Sequence, residues 1–225
     1  MRQADETQQT NPLEKNLQAP MAPRWAALIV MFAFGLLYAV LPDNVTIGPG
    51  WLALALEGVL LIPLFLAGIT RRPLREEITR ILIFATLAVV TIALIGGILL
   101  FVLTLPKKGT NDAQALLQTA VLLWVSNVLV FALWYWEVDG GGPKKRHQHG
   151  HRAADFMFPQ QADGNKSGWV PHFLDYLFVA FTGATALSPA DTYPLTRVAK
   201  GLMMVEALNA VVILTIIIGR IVNIL

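Results

Sequence analysis

The sequence predicts an all-α integral membrane protein, with five transmembrane helices plus one short re-entrant segment. Three observations carry that prediction. The chain is 55% hydrophobic and only 14% charged, where ordinary soluble domains carry about 25% charged residues. Several apolar runs approach or exceed the roughly 18 residues that mark a transmembrane candidate. One apolar run, His172 to Ser188, is 17 residues long and stops at a proline, and a long apolar segment follows it.

With 225 residues, mostly committed to spans, the length leaves room for one membrane domain and no second globular domain. The formal net charge of +2 argues against a nucleic-acid footprint. The absence of cysteine excludes disulfides, thiolate metal sites and cysteine nucleophiles. No P-loop, G-x-G-x-x-G or G-x-S-x-G is present, so neither nucleotide binding nor nucleophilic catalysis is expected and no cofactor is implied.

Residues 1–24 are polar and proline-punctuated and lack the apolar core of a secretory signal, so they read as a disordered tail. Trp25 to Leu41 is the first expected span, with Trp25 and Tyr38 placed for the membrane interface, and Gly48-Pro49-Gly50 then turns the chain. The second span is Trp51 to Ile69, interrupted by Glu57 and by Pro63, which removes one helical hydrogen bond. Four arginines, 71, 72, 75 and 80, mark its exit. Ile81 to Leu105 is the third, where Gly96-Gly97 permits a bend or close helix approach. The fourth is Ala113 to Trp136, with Ser126 and Asn127 inside and Trp134-Tyr135-Trp136 as an interfacial aromatic cluster. Residues 25–136 thus form four spans, and Glu137 to Pro171 is a long polar loop.

The segment 172–225 closes the chain. As a helix, 17 residues reach roughly 25 Å, short of the roughly 30 Å hydrocarbon core. Irregular backbone at membrane depth survives only where protein buries it or water lines it, so a half-helix ending in Ser188-Pro189-Ala190-Asp191 suggests a re-entrant hairpin. From Leu195 to Leu225 there is length for a full span, and Pro194 suits its first turn.

The residues Asp175 to Asp191, followed by Pro194, Arg197 and Glu206-Ala-Leu, resemble the pore helix, filter loop and inner helix of potassium-channel pore modules. Laid on that pattern, Thr182 and Thr185 stand at the end of the pore helix, and Thr185 to Asp191 occupies the filter. Both filter glycines are absent; Ala186, Leu187, Ser188, Pro189 and Ala190 stand between the matching Thr185 and Asp191. A potassium filter stacks backbone carbonyls with glycine geometry, and Pro189 fixes its own φ and restricts Ser188. The resemblance therefore implies the pore architecture, a homotetramer and monovalent cations as partners, without a potassium-type filter. The wider sequence also resembles a family of bacterial multi-pass membrane proteins sharing the Trp-Tyr-Trp-Glu and Ala-Leu-Ser-Pro-Ala-Asp stretches, which implies a bacterial inner-membrane location.

Orientation pulls two ways. A cytoplasmic N-terminus puts all but Lys107, Lys108 and Arg220 of the 17 lysines and arginines on the cytoplasmic side, as the positive-inside rule favours. Potassium-channel modules instead carry their re-entrant loop outside. The short arginine-rich loop after the second span favours the cytoplasmic N-terminus.

Four polar residues of the last helix, Glu206, Asn209, Arg220 and Asn223, share about a 100° arc. They line a pathway or pair against neighbouring helices. Glu57 is the other intramembrane acid, read either as part of ion passage or as a hydrogen-bonding partner of the helix freed by Pro63. Asp191 attracts cations at a pore mouth or precedes the last helix, whose N-terminus favours negative charge. His147, His149 and His151 alternate on a flexible basic stretch. Such imidazoles can ligate a metal, while the neighbouring lysines and arginines favour anionic lipid headgroups instead.

The leading expectation is an ion-channel-like cation pore and not an enzyme. The alternatives are a non-conducting membrane scaffold or partner-binding protein that retains the pore fold, and a small-solute or metal transporter using Glu57 and the histidines.

Overall fold

A computed structural model describes residues 25–70, 74–105, 113–185 and 192–222. Among the described residues the chain is mostly helical, and four helices are long and apolar enough to cross a membrane. Helix α1 covers Trp25–Ala39, α2 Trp51–Ile69, α3 Glu76–Thr104 and α4 Ala113–Val138. A short α5, Pro143–Gln148, precedes α6, Phe173–Ala184, and α7, Arg197–Val222. Helix α1 has 15 described residues and α6 has 12, so neither joins the four.

Helix α4 is the axis of the bundle and packs against α1, α3, α6 and α7, while α2 leans on α1 and α3 from outside. The order follows from side-chain polarity around each helix. On α2 only Ala53 and Glu57 are buried, and Leu56, Val59, Ile62, Phe65 and Leu66 face outward. Such an apolar exterior is stable only against lipid or another chain. On α4 Leu123, Phe131, Leu133, Tyr135 and Trp136 are fully enclosed.

Gly96 and Gly97 admit a close neighbour, as their sequence suggests, but the neighbour is the α1–α2 connection. A Cβ on Gly97 would stand 3.1 Å from the Val45 carbonyl, and one on Gly96 would strike the Ile47 side chain. Tyr38 is buried beneath this connection and its hydroxyl accepts the Ile47 amide at 2.9 Å. Its expected place at the membrane interface is thus corrected: the phenol ties down a loop. Tyr135 and Trp136 are likewise core residues, 0% exposed, because the cap described next covers that end of α4.

The segment from Glu137 to Pro171, expected as a polar loop, is a folded cap. Gly140, Gly141 and Gly142 have φ of 58°, 76° and 99°, a left-handed run that only glycine adopts without strain. The run swings the chain off α4 into α5, which Pro143 opens at a position where its missing N–H costs nothing. Strand β1, Phe156–Met157, pairs antiparallel with β2, Tyr193–Pro194, in the register Phe156 to Pro194 and Met157 to Tyr193. Pro194 therefore sits in a strand rather than in the first turn of the last helix. Its carboxyl neighbour Leu195 donates its amide to the Asp155 carbonyl at 2.8 Å.

Lys144 bonds Glu76 at 2.6 Å, and Trp25 shares a recess with His172 and Phe173. The starts of α1, α3, α6 and α7 and the ends of α2 and α4 thus share the cap end of the bundle.

Candidate functional site

Two carboxylates organise the cap and thereby fix where α6 and α7 begin. Asp139, 1% exposed, accepts the Asp155 and Phe156 amides on Oδ1 at 2.9 and 3.1 Å and the Tyr176 hydroxyl on Oδ2 at 2.5 Å. Arg146 Nε lies 3.9 Å from Oδ2. Its Nη1 donates to the Trp136 and Asp139 carbonyls at 2.6 and 2.7 Å, and the guanidinium stacks over the Trp136 and Tyr176 rings. Asp155 in turn accepts Gly140 N–H and the Thr196 hydroxyl at 2.8 and 2.7 Å. Tyr176 belongs to α6 and Thr196 directly precedes α7, so both helices hang from one polar hub.

From this anchor α6 runs back along α4. Phe173 and Tyr176 meet Trp136 edge to face, and Phe181 meets Trp124. The Trp124 indole donates to the Ala184 carbonyl at 3.3 Å. The helix thus starts at the cap end of α4 and stops near its midpoint. Twelve residues reach about 18 Å, and the described chain resumes at Thr192, beside the cap again.

Thr182 and Thr185 occupy the inner end of α6. Their hydroxyls return to the helix's own carbonyls, Thr182 to Val179 at 2.9 Å and Thr185 to Phe181 at 2.9 Å. Ala186, Leu187, Ser188, Pro189, Ala190 and Asp191, read from the sequence as the filter, lie outside the described residues, as does Asn223.

Glu206 and Asn209 are turned onto α4. The Tyr135 hydroxyl donates a hydrogen bond to Glu206 Oε2. Asn127 Nδ2 donates to the Glu206 carbonyl at 3.2 Å, and Asn209 Nδ2 to Asn127 Oδ1 at 3.2 Å. Glu206 is 0% exposed, and a Cβ on Gly183 would lie 2.9 Å from its Oε2. The carboxyl therefore fills the space that glycine leaves on α6. Glu206 Oε1 and Ser126 Oγ are buried without a hydrogen-bond partner among the described residues.

Glu57 repeats this arrangement on the other short helix. It is 1% exposed, and its carboxyl occupies the space beside Gly35 of α1 that a Cβ would need. Neither oxygen is hydrogen-bonded among the described residues, so the expected bond to the helix freed by Pro63 is not formed. Pro63 lies inside α2, whose helix runs on past it.

The three loop histidines do not converge. His147 Nδ1 and His151 Nε2 are 3.3 Å apart, whereas His149 turns its Nδ1 to the Lys145 carbonyl at 2.7 Å and stays exposed. Among the described residues no group of three potential ligands is arranged for a metal ion. The stretch is folded: α5 holds His147, and the His151 carbonyl accepts Gln161 Nε2 and Asn165 Nδ2 at 2.8 and 3.1 Å. Burial, reinforced by the positive field of His147, Arg146 and His172, pushes the His151 imidazole down to about 4.

Sequence reasoning missed Asp139, Arg146, Asp155 and Tyr176, and it read Tyr135 only as an interfacial ring. One signal was available. The acid Asp139 and the base Arg146 flank three glycines and a proline, a spacing that suits a tight turn closed by an ion pair.

Comparison with protein-family models, curated proteins and solved structures finds no match. Fold and site together describe a multi-pass helical protein compatible with a membrane. Its distinguishing parts are a short helix ending beside the middle of α4 and two buried carboxyls, each seated on a glycine of a short helix.

Proposed function

We propose that this protein is an ion-channel-like protein of the cell membrane, with α1 as a fifth span and α6 as a re-entrant half-helix. The carrying observation is that α6 starts at the cap, stops at Trp124, and is followed by chain that resumes at the cap. From Thr185 to Thr192 is seven peptide steps, a reach of about 25 Å, enough to return the length of α6. The C-terminal end of a helix carries partial negative charge, so the inner end of α6 favours a cation at mid-depth. Glu206 lies beside it, and an intramembrane acid is by default a candidate for ion or proton passage.

One half-helix cannot enclose a path, so this reading requires several chains around an axis. The outward apolar residues Leu174 and Phe178 of α6 and Met204 and Leu208 of α7 supply faces for neighbouring subunits, and a tetramer is expected from the pore-module resemblance. The experiment is monovalent-cation flux into liposomes holding the purified protein, with Glu206→Gln beside the wild type. Flux above that of empty liposomes, altered by the substitution, supports the reading.

A second reading rests on a different observation. Glu206 and Asn209 are spent on α4, which leaves the outward face of α7 largely apolar, as suits a non-conducting scaffold that keeps the fold for assembly. Absence of flux under every gradient, voltage and pH, from folded oligomeric protein, favours that reading.

A further inference from the structure

Two imidazoles meet inside the cap. His147 Nδ1 lies 3.3 Å from His151 Nε2, with the ring centroids 5.3 Å apart. A single proton fits between these nitrogens, so one ring donates and the other accepts. The donating ring can take a first added proton on its far nitrogen without disturbing the contact. A second added proton breaks it, because both facing nitrogens would then carry hydrogens. The rings are also unequal hosts. His147 is half-buried, whereas His151 is 1% exposed and its Nδ1 has no hydrogen-bond partner among the described residues. A charged His151 would bury a cation with an unmatched N–H, which is costly away from water.

The charges around His151 oppose a proton there. His147 and Arg146 of α5 and His172 at the start of α6 all act on it with positive sign, and Lys144, Lys145 and Arg152 repeat that sign along the chain. The hub acids are engaged elsewhere, Asp139 with Arg146, Tyr176 and two amides, and Asp155 with Gly140 and Thr196. Among the described residues neither imidazole pairs with a carboxylate. His151 is tied to α6 by two routes. Its amide donates to the Arg146 carbonyl at 2.9 Å, and Arg146 stacks on Tyr176 of α6. Its carbonyl accepts Asn165 Nδ2 at 3.1 Å, and Asn165 Oδ1 accepts the Trp169 amide at 2.8 Å, four residues before α6 begins at Phe173. We propose that this imidazole pair is an acid-operated latch on α6: when both rings are protonated their contact breaks, the cap opens, and the start of α6 is released from the hub.

Burial and the surrounding cations hold the closed-cap His151 down to about 4, while an opened cap would protonate near 6.5. The open form thus binds more protons, and opening should rise as pH falls through that window. The test is amide hydrogen exchange by mass spectrometry on the full-length protein in detergent, corrected for the intrinsic pH dependence of exchange. Between about pH 7.5 and about pH 5 the wild type should exchange faster, on the order of tenfold, both in the cap and in the first turns of α6. His151→Asn should flatten both responses, and His149→Ala, which alters an exposed ring outside the pair, should leave both intact. A wild-type pH titration needs no variant to fold: cap and α6 must open with one shared midpoint. Opening of the cap while α6 stays protected would overturn the proposal, as would separate midpoints, no acid response in the wild type, or a response that persists in His151→Asn. None of these outcomes depends on whether the protein conducts ions.

Discussion

The indole of Trp124 donates to the main-chain carbonyl of Ala184 at 3.3 Å, joining the middle of α4 to the inner end of α6. A last-turn carbonyl has no partner within its own helix, and at membrane depth an unsatisfied one costs several kcal/mol. Trp124 removes one such orphan.

Trp124→Phe therefore loses a single donor, leaves the Ala184 carbonyl unpaired and should lower stability by about 1–3 kcal/mol. Trp124→Ala also forfeits the Phe181 contact and should cost about 3–5 kcal/mol. Thermal unfolding in detergent reads both. On the proposed channel reading, Trp124→Phe should change cation flux into liposomes well beyond what its loss of stability explains.

Tyr135 and Glu206 should be energetically coupled. Tyr135→Phe leaves the buried carboxyl without its donor, at a cost of about 1–3 kcal/mol, while Glu206→Gln keeps an acceptor and should cost less than Glu206→Ala. A double-mutant cycle over Tyr135→Phe and Glu206→Ala should return a coupling of about 0.5–3 kcal/mol. Strict additivity would show that the contact contributes nothing.

The cap should fail as a unit. Arg146→Ala strands Asp139 among buried groups, and breaking a buried pair by removing one partner costs about 3–5 kcal/mol. Arg146→Lys should not restore it, because an ammonium cannot both stack on Trp136 and Tyr176 and donate to two carbonyls. Limited proteolysis between Gly142 and Trp169 should speed up in both variants, and restoration by lysine would contradict the role assigned to the planar group.

Acid should loosen the same cap through His151. Its imidazole, pushed down to about 4, stays neutral in the folded state while the unfolded chain protonates near 6.5. The folded state thus binds fewer protons, and stability falls as pH drops from about 6.5 towards 4. His151 has φ 52°, a conformation asparagine tolerates, so His151→Asn should flatten melting temperature over that window. A profile as steep as that of the wild type would assign the acid sensitivity to other groups.

Helix existence was legible in the sequence because lipid-facing and core-facing residues are alike apolar, and a long apolar run declares itself. Trp51–Ile69 is found with the boundaries expected, and the short length of the pore-helix-like segment is repeated in α6. Which side of each helix faces inward was not legible, for the same reason: apolar residues all round leave no period to read. Tyr38, Tyr135 and Trp136 look like interfacial anchors until the loop and cap that cover them are in place. The polar arc of the last helix left pathway and packing open, and the sequence could not name Tyr135 and Asn127 as the hydrogen-bond partners of Glu206 and Asn209.

The sequence by itself determined that this is a mostly helical protein with apolar helices long enough to cross a membrane, and roughly where those long helices fall. Hydrocarbon thickness and backbone hydrogen bonding set those limits, and both act along the chain. Only the tertiary structure decided that residues 137–171 fold, that Asp139 and Asp155 hold α6 and α7, and that two buried acids rest on Gly35 and Gly183. Those contacts join residues far apart in sequence, and no local pattern encodes a partner that only packing brings within reach.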